Sequence, residues 1–118
     1  METLCLIRDL ARAVADFEQQ FERRYGLSLN EGVLLCRLCR HETLTSGEIA
    51  DSLQLSCSNA SKVIRSVEQK GLVYRKMGDE DKRRMLFSLT PEGRRELERL
   101  KVCSVEPPEL IRQWLQVR

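Results

Sequence analysis

Leu4, Ile7, Leu10, Ala11, Val14, Phe17 and Phe21 recur every three or four residues at the start of the chain. That spacing lines one face of a helix. It predicts an amphipathic helix of about six turns ending near Tyr25, with Gly26 as the left-handed residue that stops it. Ser28 and Glu31 then form the pattern of a capping box, opening a second helix with Val33, Leu34, Leu35 and Leu38 inward. Thr45 and Glu48 repeat the box before a short third helix that buries Ile49, Ala50 and Leu53. Ser56 caps a fourth, whose stripe is Ala60, Val63, Ile64 and Val67, and Gly71 ends it. The period then changes. "LVYRKM" (72–77) and "RMLFSLT" (84–90) are β-prone and mixed in alternation, predicting a short ribbon with one face on the helices. A fifth helix is expected from Pro91 to about Cys103. In "VEPPELIRQWLQVR" there is room for a short final helix with Leu110, Ile111, Trp114 and Leu115 at helical spacing.

The third and fourth helices are separated by only "QLS", the spacing of a helix-turn-helix. Away from its apolar stripe the fourth helix carries Ser58, Asn59, Ser61, Lys62 and Arg65. Hydroxyls and an amide near a helix start can meet phosphates and base edges, and the two cations add charge. Between the ribbon strands, Asp79, Glu80 and Asp81 are followed by Lys82, Arg83 and Arg84, acids segregated from bases at an expected hairpin tip. A basic tip can enter a narrow groove where negative potential favours arginine. Asp81 is expected to pair with a nearby arginine and shape the tip.

Composition narrows the classes. The 118 residues are 42% hydrophobic and 32% charged, which suits one globular domain. No apolar run approaches the ~20 residues of a membrane helix, and the charged start is unlike a signal peptide. Five cysteines, an odd number, favour reduced thiols and a cytoplasmic setting over a disulfide scaffold. The net charge is +2, but Ser56–Arg95 holds ten Lys/Arg against five Asp/Glu. That imbalance is the footprint of a surface meeting a polyanion. Enzymatic chemistry is not expected. His41 is the single histidine, no phosphate loop occurs, and the paired carboxylates Glu80 and Asp81 sit at an expected hairpin tip.

The order "LSLNEGVLL", "LTSGEIADSL", "SCSNASKVIRSVEQKGLVYRK", "DEDKRRMLFSLTPEG" resembles the MarR family of winged helix-turn-helix transcriptional regulators over about Leu27 to Leu100. Its most specific parts are Asp81 and Arg83 ahead of "LTPEG", and "KGLV" at 70–73. The resemblance implies a mainly α fold with a small β-hairpin wing, forming one winged helix-turn-helix chain over residues 1–118. The DNA-binding core is expected over about 28–95, with dimerisation helices over about 1–26 and 96–118. It further implies a homodimer on double-stranded DNA with a near-palindromic operator. The fourth helix would lie in the major groove and Arg83 in the flanking minor groove. Such regulators usually act as repressors released by a small-molecule effector or an oxidant. The expected DNA contacts are Ser58, Asn59, Ser61, Lys62, Arg65, Arg75, Lys82, Arg83 and Arg84. Leu4, Ile7, Leu110, Ile111 and Trp114 are expected at the dimer interface, Trp114 alternatively folding back on its own chain. The competing reading is a winged-helix protein-interaction module without specific DNA binding. Two departures stand out: Gly32 where the family usually has a large aromatic, and a short C-terminus.

Cys36, Cys39 and His41 form C-x-x-C-x-H, but inside an apolar helix the cysteines are expected as small core residues and no metal site is assigned. His41 is expected to cap carbonyls at that helix's end. Cys5, in "LCLIRDL", matches the place of a reactive cysteine in peroxide-sensing members, without the tyrosines that usually accompany it. It is therefore either a redox site or a packed apolar residue. No cofactor is expected.

Overall fold

A computed structural model describes residues 2–80, 83–101 and 107–117. The elements are α1 (Thr3–Tyr25), α2 (Leu29–His41), α3 (Ser46–Leu53), α4 (Cys57–Gln69), β1 (Val73–Met77), β2 (Met85–Leu89), α5 (Pro91–Lys101) and α6 (Glu109–Val117). They form two compact units, one holding α1 and α6, the other α2 through α5 with the hairpin. No described helix is long and apolar enough to cross a membrane.

Local signals account for most boundaries. Gly26 sits at φ 68° and donates its N–H to Glu22 O, ending α1. The Thr45–Glu48 capping box is formed in both directions, at 3.1 and 2.8 Å. Ser56 Oγ accepts the Asn59 N–H at 3.1 Å and starts α4. Gly71, at φ 75°, turns the chain from α4 into β1.

The core of the larger unit is aliphatic: Leu34, Leu35 and Leu38 from α2, Ile49 from α3, Ile64 and Val67 from α4, Phe87 and Leu89 from β2, and Leu97 from α5. β1 and β2 pair antiparallel from Val73↔Leu89 to Met77↔Met85. β1 is exposed beyond Val73, whereas Phe87, Ser88 and Leu89 of β2 are all buried. The reason is a third edge that the sequence did not reveal. Leu44, just before α3, bridges Phe87 through two backbone hydrogen bonds of 3.1 and 2.8 Å, so β2 lies between neighbours.

The junction of β2 with α5 is tight. Thr90 Oγ1 donates to Gly71 O at 2.6 Å and accepts the Gly93 N–H at 3.0 Å. A Cβ on Gly93 would stand 2.1 Å from Leu72 O, so only glycine lets α5 pass this close to the strand start.

One cysteine expectation is corrected here. Cys36 and Cys39 are exposed, because the buried stripe of α2 runs through Glu31, Gly32, Leu34, Leu35 and Leu38, and the two cysteines flank its edge on the side toward α5. Cys5 is likewise exposed, on α1.

In the smaller unit α6 packs against α1. Leu10, Val14, Ile111 and Trp114 line one apolar groove between them, so Trp114 does turn toward its own chain while staying 54% exposed. Leu4 is 80% exposed, and Leu6, Ile7, Leu110 and Leu115 are exposed as well.

Candidate nucleic-acid interface

α3 and α4 are joined through Gln54, which takes the left-handed conformation at φ 57° and lets Leu55 N–H bond back to Ala50 O at 2.9 Å. The apolar stripe of α4 (Ala60, Ile64, Val67) is buried, which leaves Ser58, Asn59, Ser61, Lys62 and Arg65 exposed on the other side. One continuous polar surface thus begins at the helix start.

The far end of α4 is held from two directions. Glu31 of α2 is buried, yet its Oε2 accepts from Ser66 Oγ at 2.7 Å and from Lys70 Nζ at 2.8 Å. A buried carboxylate is tolerated only with such partners. On the hairpin side, Arg75 donates to both oxygens of Glu68, Nε at 2.8 Å and the second nitrogen at 2.6 Å. Its guanidinium also lies 5.3 Å from the Phe87 ring centre, within cation–π range. This paired hydrogen bond holds the Glu68 carboxyl below the usual carboxylate range, against a smaller opposing effect of burial. The same pairing raises the guanidinium pKa of Arg75. Arg75, expected among the DNA contacts, thus ties the hairpin to α4.

Arg75 and Arg65 line, with Ser46, Ser61, Ile64, Met85 and Phe87, a cleft of about 280 Å³ between α4, the start of α3 and the hairpin. Two guanidiniums and two hydroxyls on an apolar floor suit anionic oxygens. Ser46 is a member that sequence reading missed. Its signal was its place at the first residue of α3, next to the capping Thr45.

At the hairpin tip Gly78 N–H bonds Arg84 O at 2.7 Å, and Arg83 and Arg84 are exposed. Asp81 and Lys82, expected to shape and charge the tip, lie outside the described residues. Among the described residues no group of three His, Cys, Asp or Glu could hold a metal ion. His41 is exposed at the end of α2.

Comparison with known proteins adds independent information. The model of the MarR family matches residues 27–85. An organic hydroperoxide resistance transcriptional regulator of Bacillus subtilis (strain 168) is 39% identical over 70 residues, which is 59% of this chain and 48% of its own length. The uncharacterized HTH-type transcriptional regulator YdcH of the same organism is 33% identical over 86 residues, 64% of this chain and 58% of its own. The chain therefore spans only about half the length of these curated relatives. Among solved structures, the S. aureus MepR–DNA complex superposes with a TM-score of 0.67 at 24% identity, covering 95% of this chain and 92% of that one. At that identity the likeness is one of fold.

Proposed function

The chain belongs to the MarR family, and from that premise we propose that it is a sequence-specific, double-stranded-DNA-binding transcriptional regulator. The observation that carries this reading is α4. Its Ser58, Asn59, Ser61, Lys62 and Arg65 face outward together, while Glu31 and Arg75 brace the other end of the same helix. A braced helix with a polar outer face suits the major groove, where side chains from the first turns reach base edges. Arg83 at the hairpin tip, with Arg84 and Lys82, serves the adjacent minor groove. Arg65, Ser61 and Ser46 in the neighbouring cleft serve phosphate oxygens, which position the helix without reading sequence.

The regulator acts as a homodimer on a near-palindromic operator, since two such helices related by a two-fold axis read two half-sites about one DNA turn apart. Leu4, Ile7, Leu110, Ile111 and Trp114 supply the interface, in support of which most of these side chains are exposed on α1 and α6. Repression relieved by a small molecule or oxidant is the mode of action. The relative named for organic hydroperoxide resistance supports an oxidant, with exposed Cys5 as the thiol that meets it. The compartment is the cytoplasm.

Fluorescence anisotropy against the DNA just upstream of the chain's own coding region tests the reading, with excess nonspecific competitor. Saturable binding that survives competitor, and falls steeply with salt as phosphate contacts release counterions, is the expected result. Binding abolished by competitor would instead favour a winged-helix protein-interaction module.

A further inference from the structure

The flank of α2 that faces α5 carries Cys36 and Cys39, three residues apart and both exposed. Side chains at that helical spacing have Cβ atoms about 5–6 Å apart. A disulfide draws the two Cβ atoms to about 3.5–4.5 Å, so direct closure would have to deform the helix. An atom inserted between the sulfurs, with bonds near 2.3 Å to each, bridges the pair without that demand. Both thiols line one shallow cleft between α2 and α5, whose remaining walls are Arg40, Leu97 and Lys101. Both cysteines are exposed and Leu97 forms an apolar wall of the cleft, so it admits a bound atom that carries an organic substituent. Two soft sulfur donors select a soft, thiophilic centre. A structural zinc site, by contrast, calls for four ligands.

We propose that Cys36 and Cys39 form a dithiol site for a thiophilic centre with two replaceable ligands, the class of the monosubstituted trivalent arsenicals, R–As(OH)₂. The reaction is substitution at arsenic. Two As–O bonds break and two As–S bonds form, while the two thiol protons leave with the two hydroxides as water. Neither sulfur nor arsenic changes oxidation state. The organic group on arsenic then rests toward Leu97. The site is separate from the face of α4 assigned to DNA and needs no DNA to be observed.

The test uses the full chain with Cys5, Cys57 and Cys103 changed to Ser, so that only the pair remains, its folding checked by circular dichroism. Phenylarsine oxide, which hydrates to the dihydroxide, is added at one equivalent in excess 2-mercaptoethanol, the monothiol is removed by gel filtration, and the product is read by intact mass and thiol titration. One phenylarsenic group per chain, loss of both titratable thiols and release by a 1,2-dithiol are expected. Adding Cys36→Ser or Cys39→Ser should lower retention at least about tenfold, because the second bond is then no longer intramolecular. A folded pair-only chain that stays unmodified, or single variants that retain the group equally well, would overturn the proposal. Should the triple-serine chain fail to fold, the same comparison runs in the otherwise unaltered chain. Cys36→Ser with Cys39→Ser must then lose the tightly held group that Cys5→Ser keeps.

Discussion

Arg75 illustrates how one residue type can serve two ends. Its charge looks like a DNA contact in sequence, but two of its nitrogens bond Glu68 and its guanidinium lies over Phe87. Arg75→Ala is therefore expected to loosen the hairpin from α4, and to weaken DNA binding through misplacement of the tip. Glu68→Gln should reproduce this in part without removing a cation, which separates bracing from direct contact. The pairing also has a pH signature. Because the folded Glu68 carboxyl titrates below its ordinary value, its contribution is fully present above that value and is lost as pH falls through the lower one. Thermal melts should show a destabilisation below about pH 4 that Glu68→Gln diminishes. With Arg75 half-exposed, the pair is worth no more than about 1 kcal/mol. Arg83→Ala tests the opposite role. Anisotropy should register weaker binding chiefly at A·T-rich flanks, with a salt slope lower by about one. Unchanged affinity there would remove Arg83 from the minor groove.

At the scale of elements, the "TPEG" stretch does more than start α5. Thr90 joins the end of β2 to Gly71 while capping the next helix, and Gly93 lets that helix cross the Leu72 carbonyl. Gly93→Ala must push a methyl group into a backbone oxygen that cannot swing aside. A loss of about 3 kcal/mol in urea unfolding is expected, in the range of overpacked sites and above an ordinary surface change. By contrast Thr45→Ala removes only a cap and should cost about 1 kcal/mol. If Gly93→Ala costs no more than Thr45→Ala, α5 does not pack on the strand as described.

For the molecule as a whole, α1 and α6 leave more apolar surface in water than one chain needs, Leu4 and Trp114 above all. Under the proposed dimer, Ile7→Glu places a charge in that surface. Analytical ultracentrifugation should then show a shift toward monomer, with DNA affinity falling in parallel because two half-sites are no longer held together. A variant that becomes monomeric yet binds the operator as tightly would separate dimerisation from recognition.

The sequence by itself determined the elements and their ends. Helical spacing, the Thr45–Glu48 box, the Ser56 cap and the glycines at 26 and 71 act within a few residues of one another, so their physics is legible in one dimension. The polar face of α4 was legible for the same reason, since it is the complement of the apolar stripe. The third edge at Leu44, the Glu31 bond to Ser66 and Lys70, and the commitment of Arg75 to Glu68 and Phe87 were decided only in three dimensions. Each joins groups on different elements, and in sequence each partner reads as an ordinary strand, cap or surface charge. The same holds for Cys36 and Cys39. An apolar helix suggested burial, but which face turns inward depends on what α2 packs against, and that placed both thiols in solvent.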